Sequence, residues 1–299
     1  MSERFSCALH SQALGEPICG TASQVRRWIL VEQPGTWGVD AVFESGLPID
    51  VATRLRAVAR AAGARLLLIR RHGRTAAEQR TCFGIVSTAD VRRVERFAFD
   101  DPAELLAIDW AVLRAGEPAG GEVSDDPVYL VCTNGRHDVC CARFGRPVAQ
   151  ALSAAVGDHV WESSHFGGDR FAGNLVCLPD GIYYGRVAAV DAAGLVNLHR
   201  AGSLDLPHYR GRSFQPFVAQ AAECFVREEH GMIAVDEVVA NQVDALGDDT
   251  FDVTLQTSAG STLVATVQSH PASHPQQLTC RSPGEEHPPR YRLVALRSR

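Results

Sequence analysis

The sequence predicts an α/β protein built as two successive halves followed by a small β-rich extension. Three observations point there. Short apolar runs of strand length alternate with longer Ala-rich stretches of helical period. A polar, Gly-rich segment at 116–126 (GEPAGGEVSDD) interrupts that alternation near the middle. Beyond residue 231 the pattern changes to the two-residue alternation of antiparallel strands. At 299 residues the chain can bury two ordinary cores. The expected division is 1–120, 121–231 and 232–299.

After a loose start, 27–31 (RWILV) reads as a strand, 33–39 (QPGTWGV) as a turn and 49–62 as a helix rich in Ala and Arg. A buried strand follows at 65–70 (RLLLIR), then strands at 82–87 and 92–99. Asp101 and Pro102 open a predicted helix through Arg114, with acids at the end favoured by the helix dipole. Past the linker, 128–131 is a strand, 147–156 a helix, 160–163 a strand, and 175–178 with 183–187 a strand pair about the turn Pro179-Asp180-Gly181. Helices near 192–200 and 216–229 complete this half. Both halves follow a strand, helix, strand, strand, helix plan, which is that of a thioredoxin-like domain, although no residue-level repeat joins them. In the extension, 251–256 and 262–268 flank Ala259-Gly260 as a hairpin, SHPASHPQQ is a loop, and 291–296 is a further strand.

Composition narrows the function. The formal net charge is -6 with acids spread along the chain, so no basic stripe is available for nucleic acid. No run of eighteen apolar residues occurs, and residues 1–20 lack both a basic n-region and an apolar h-region. Neither a membrane span nor a signal peptide is expected, and the cytoplasm is the expected compartment. All 29 basic residues are arginine, a bias of ancestry, not of mechanism. Nine cysteines stand mostly alone, with only Cys140 and Cys141 adjacent. In a reducing compartment such residues are small buried hydrophobes or metal ligands more often than disulfide partners. Cys7, Cys19, Cys82, Cys224 and Cys280 are therefore expected to be isolated structural thiols.

The chemistry concentrates in two segments, CTNGRHDVCC from Cys132 to Cys141 and SHFGGDRFAGN from Ser164 to Asn174. Cys132 closes a strand, Cys141 precedes the predicted helix, and His165 to Asp169 form a Gly-containing loop after the next core strand. A thioredoxin-like topology brings both loops to the same end of the sheet, where S and N donors can share a metal centre. Iron–sulfur clusters take thiolates first, and histidine replaces them on one iron in Rieske centres. Gly135, Gly167 and Gly168 would let backbone amides approach the bridging sulfides. Arg210 and Arg212 in YRGRS read as a solvated charged pair at a helix start, with recognition of an anionic partner as the other reading.

These segments, together with LPDGIYYGRV, YRGRS and the GTA and VEQPGTWG of the first half, resemble the sucrase/ferredoxin-like family across roughly 7–231. The resemblance implies a thioredoxin-like ferredoxin domain whose 2Fe-2S cluster is held by two cysteines nine positions apart and two histidines in an H-x-G-G-H segment. By that pattern Cys132, Cys141 and His165 are ligands. Asp169 stands where the second histidine would be and is ranked first as fourth ligand, since the glycine pair before it keeps the loop. Cys140, His137 and Cys177 are the alternates.

The expected function is one-electron transfer to or from a redox protein partner, coupled to protons through an imidazole ligand, in a carrier rather than a stand-alone enzyme. Two cysteines, a histidine and an aspartate also make a tetrahedral zinc set, so a zinc-stabilised binding module is the second reading. A thiol–disulfide oxidoreductase is a third, weakened because no C-x-x-C stands before a helix. Sugar hydrolysis, suggested by the family's name, needs two carboxylates across a glycosidic bond, a pair that 35 scattered acids neither specify nor exclude.

Overall fold

The computed structural model describes residues 5–73 and 79–298; the first four residues of the opening segment lie outside them. A short helix, α1 (Cys7–Ala13), precedes the first half, in place of the expected loose start. Ser6 caps it, its hydroxyl accepting from the Leu9 amide.

The first half is a β-α-β unit. β1 (Arg27–Glu32) and β2 (Arg65–Arg70) run parallel, joined by α2 (Ile49–Ala62), which Gly63 ends in the left-handed conformation. β3 (Arg80–Ser87) lies antiparallel on the other side of β1, and β4 (Arg92–Phe99) lies beyond it. The second half repeats this layout. β6 (Val128–Cys132) and β7 (Val160–Ser163) are parallel across α3 (Val139–Val156), with β8 (Leu175–Leu178) antiparallel to β6 and β9 (Ile182–Tyr184) next. Each half thus has the strand, helix, strand, strand core of the thioredoxin-like plan expected of it. β2 pairs antiparallel with β7, so the halves share one ten-stranded sheet edged by β5 (Glu122–Ser124) and β10 (Tyr209–Arg212).

The sheet is curled, and the inner faces of the halves meet. Trp28 lies 6.3 Å from Tyr183 and Phe83 packs edge-on against Trp161 at 5.6 Å. Leu30, Leu67, Ile69, Leu130, Val176, Cys132 and Cys141 belong to this shared core. Outside it, α2 buries Val51, Leu55 and Ala59 against Ile29, Val31 and Leu68. On the second half α3 and α4 (Ala189–Arg200) cover Tyr129, Val131 and Cys177 with Val148, Leu152 and Val196. α5 (Phe217–His230) turns Cys224 to that core and Ala219, Ala222 and Val226 to the extension. The extension is an antiparallel sheet of β11 (Val238–Gly247), β12 (Thr250–Thr257), β13 (Thr262–Pro271) and β14 (Pro289–Ser298). No helix among the described residues is long and apolar enough to cross a membrane.

Four expectations are corrected. The helix read over 101–114 is two 3-10 turns, Pro102–Ala107 and Trp110–Ala115. The Trp110 indole donates to the Leu105 carbonyl, and Asp109 caps a fresh turn, so the ladder does not continue. The linker at 116–126 is ordered against the sheet: the buried Glu95 carboxylate accepts the amides of Ala119, Gly120 and Gly121 and delivers β5 to β4. α3 starts at Val139, not at Pro147, because Asp138 caps it by accepting from the Cys140 amide. Gly145 makes this early start possible, since a Cβ there would collide with the Cys132 carbonyl. Finally, Cys19 and Cys224, expected as separate thiols, form a disulfide between the segment before β1 and α5, with Cα atoms 6.5 Å apart.

Candidate metal centre

The two loops meet at the end of the second half. Cys132 is the last residue of β6, Cys141 sits in the first turn of α3, and His165 and Asp169 come from the loop after β7. His165 Nδ1 lies 3.9 Å from each of Cys132 Sγ and Cys141 Sγ. Asp169 Oδ1 is 3.0 Å from that nitrogen and 3.1 Å from Cys141 Sγ. His137, from the turn before α3, stacks its ring on His165 at 3.7 Å and brings Nε2 within 3.7 Å of Asp169 Oδ2. The structure therefore brings together Cys132, Cys141, His165 and Asp169, with His137 beside them.

The thiols face the shared apolar core, while the imidazoles face outward: the His137 and His165 side chains are 32% and 21% exposed, against 3% for Asp169. Asp169 is a buried anion held by histidines. Burial pushes its carboxyl up, yet hydrogen bonding to His165 wins and holds it below the usual range. Burial also opposes charge on His165, but its hydrogen bonds to Asp169 and Cys132 raise it to about 10. The hydrogen bond from Cys141 lowers Cys132 to about 5, ahead of burial's opposing push, and the same bond raises Cys141. One thiolate, one imidazolium and one carboxylate are thus packed together, a donor set whose proton a metal would displace.

The other alternates lie elsewhere. Cys140 turns away from Cys141, toward Cys7 and Cys280. Its position one residue before Cys141 along α3 puts its side chain about 100° round the helix axis. Cys177 sits in β8 in the opposite core, under α3 and α4, where burial raises its thiol well above the usual value. Neither faces the centre.

Arg210 and Arg212 are not solvated: they are 1% and 0% exposed, because YRGRS forms β10 inside the fold instead of a helix start. Arg210 holds the loop that carries His165 and Asp169. Its guanidinium donates to the Thr21 carbonyl at 2.6 Å, to Asn174 Oδ1 at 2.8 Å and to the Gly167 carbonyl at 3.4 Å, and Asn174 in turn donates to the Gly168 carbonyl at 2.7 Å. Burial draws the Arg210 value down to about 10. The sequence signal for this prop was the pairing of GG with a downstream Asn and Arg, which composition alone reads as surface charge. Gly168, at φ +88, presses against this guanidinium where a Cβ would collide. Gly168→Ala is expected to cost about 1–2 kcal/mol for the left-handed backbone alone, and to lower bound metal per chain. Thermal unfolding and metal analysis check this; an unchanged metal content would show that the loop tolerates the shift.

A family model described as Sucrase/ferredoxin-like matches residues 18–211, a span that contains every residue of the centre. No curated protein matches the chain. Among solved structures, a thioredoxin-like 2Fe-2S ferredoxin from Aquifex aeolicus is 20% identical, over 31% of this chain and 97% of its own length, with a TM-score of 0.28. A cysteine-to-serine variant of that ferredoxin is 22% identical, over 28% of this chain and 96% of its own, with a TM-score of 0.25.

Proposed function

The chain belongs to the sucrase/ferredoxin-like family, and from that premise we propose that it is an iron–sulfur electron carrier whose 2Fe-2S cluster is held by Cys132, Cys141, His165 and Asp169. The observation that carries this reading is the convergence of the donor set, with two thiols and the Asp169 carboxylate buried and the His165 imidazole on the exposed side. Thiolates and imidazole are the ligands that such clusters take, so the residues present fit the group. Bound there, the cluster supplies a one-electron couple.

The chain's own residues do the rest. Core packing around Cys132 and Cys141 keeps water from the sulfur side. In the metal-free arrangement Asp169 Oδ1 holds the His165 ring at Nδ1, a contact that the cluster would replace, and Arg210 and Asn174 fix the loop that carries both. The stacked, outward imidazoles of His137 and His165 are the short route to a redox protein partner, which would dock over them.

A zinc-stabilised module is the second reading, favoured by one observation: the ligand atoms of Cys132, Cys141 and His165 lie within 4.8 Å of one another, a spacing that one tetrahedral ion satisfies. The two separate in anaerobically purified protein, by visible absorption and EPR before and after dithionite, beside His165→Ala, Asp169→Ala and His137→Ala. A brown protein that becomes EPR-active on reduction, with altered spectra in the His165 and Asp169 variants, is expected. Spectra unchanged in Asp169→Ala but altered in His137→Ala would move the fourth ligand to His137. A colourless protein with zinc at this centre, even after cluster reconstitution, would sink the electron-transfer reading.

A further inference from the structure

A second group of metal-type donors stands on the far side of α3. Cys7 from α1, Cys140 from the first turn of α3, and Cys280 from the segment between β13 and β14 converge there with Asp138. Their separations in sequence hide the cluster: the first two cysteines are 133 positions apart and the last two 140. Cys140 Sγ is 3.4 Å from Cys280 Sγ, and Cys280 Sγ is 3.6 Å from Cys7 Sγ. Both Asp138 oxygens are 3.8 Å from Cys7 Sγ. Cys7, Cys140 and Asp138 are fully buried, and Cys280 is half-buried.

We propose that Cys7, Cys140, Cys280 and Asp138 form a structural zinc site distinct from the centre of Cys132, Cys141 and His165. Tetrahedral zinc with Zn–S bonds of about 2.3 Å sets its ligand sulfurs ~3.8 Å apart. The sulfurs here already stand near that edge length, with the carboxylate at the fourth corner. Three thiols in a dry core would pack at similar distances, so spacing alone does not decide the matter. Three further features do.

Backbone amides point at sulfur. The Cys7 amide donates to Cys280 Sγ at 3.4 Å and the Ala8 amide to Cys140, as metal-bound thiolates require of their surroundings. The Ser6 hydroxyl adds a contact of 3.2 Å to Cys140 Sγ. Asp138 is oriented as a ligand, its Oδ1 accepting from the Cys140 amide at 2.8 Å and its Oδ2 from the Cys280 amide at 2.6 Å. Among the described residues no arginine or histidine forms an ion pair with this fully buried carboxylate; its partners are backbone amides and the Cys7 thiol, so a bound cation would be its first full countercharge. Finally, a cavity of about 400 Å³ lined by Phe5, Gly135, Arg136, Val139 and Arg281 opens onto Cys280 and gives the ion a way in.

On binding, Zn–S bonds form as the thiol protons leave to solvent, with no change of oxidation state. The ion ties α1 and the segment between β13 and β14 to the helix that presents Cys141. The adjacent cysteines 140 and 141 serve two centres, one on each side of α3, and not one vicinal disulfide.

The test is metal analysis of the full chain, purified anaerobically and equilibrated with Zn²⁺ and then with a chelating resin. The expected result is one zinc per chain that Cys280→Ser and Cys7→Ser each lose and Cys132→Ser keeps, while the Cys280→Ser protein retains the iron and visible spectrum of the wild type. Should Cys7→Ser fail to fold, Cys280→Ser and Co²⁺ substitution of the wild type, read by cobalt–thiolate absorption, still decide. A wild-type protein that takes no zinc under reducing conditions overturns the site, as does a zinc lost in Cys132→Ser but kept in Cys280→Ser, or a Cys140–Cys280 disulfide in its place. Absence of iron would sink the electron-carrier reading and leave this one standing.

Discussion

Cys132→Ser is expected to leave the reconstituted protein nearly colourless, with iron per chain lowered by more than the roughly 10–100-fold that loss of an outer partner of a metal ligand costs. Cys132 is 1% exposed and ends β6 against the close approach that Gly145 allows, so its side chain is held in place by the core. Its hydrogen bond from Cys141 also favours the thiolate, lowering it to about 5. A serine hydroxyl at the same position stays protonated and binds iron weakly. Cys177→Ser is the control. That thiol lies in the opposite core, and its variant should keep its colour even if it loses some stability. Absorption and iron content per chain decide it; a Cys132→Ser protein as brown as the wild type would remove this residue from the centre.

Much of this arrangement was readable from the chain, and the reason lies in local signals. The apolar runs at 65–70 and 160–163 are buried strands whose limits agree with the structure because Gly, Pro or polar residues bound them. The two Cys-containing loops could be placed at one sheet end because the β-α-β unit fixes where strand ends go. What stayed hidden depends on contacts far along the chain. Pro147 suggested a helix start, but α3 starts eight residues earlier, at Val139, through the Asp138 cap and the close approach at Gly145. Cys7 and Cys280 looked solitary, since nothing in their neighbourhoods signals a partner on the other side of α3. Arg210 and Arg212 looked solvated, since arginine is buried only where a fold supplies acceptors that no local pattern announces.

The duplicated layout also shows why only one half carries the thiol centre. By strand order β1 corresponds to β6, and where β6 ends in Cys132, β1 ends in Glu32. Glu32 accepts the Thr81 amide at 2.9 Å instead of facing a metal, and burial raises its carboxyl above the usual range. α2 begins with no cysteine in its first turn. The first half thus keeps the strand and helix frame without the donors, and its inner face is spent on packing against the second half.

The largest stability loss is expected at Glu223→Gln. Glu223, Arg212 and Arg227 are all fully buried, and one carboxylate oxygen, Oε1, takes Arg212 Nε at 3.0 Å, Arg227 Nε at 3.1 Å and the Tyr209 hydroxyl at 3.0 Å. Arg227 spreads its remaining donors over the carbonyls of Met232, Ala234, Val235 and Val238, the stretch that leads from α5 into β11. One anion therefore balances two buried guanidinium ions at the junction of β10, α5 and the extension. Asp236 is the next acid, but it is 3.9 Å from Arg212 and largely exposed, where water screens it. Removing the charge of Glu223 while keeping its shape leaves both cations uncompensated, which in buried pairs costs about 3–5 kcal/mol. Urea unfolding followed by circular dichroism should show that loss, with the extension releasing first. Glu223→Met with Arg212→Met and Arg227→Met, which removes anion and cations together, should recover much of it. A Glu223→Gln protein within about 1 kcal/mol of wild type would mean that the two guanidinium ions are balanced by their carbonyl acceptors alone.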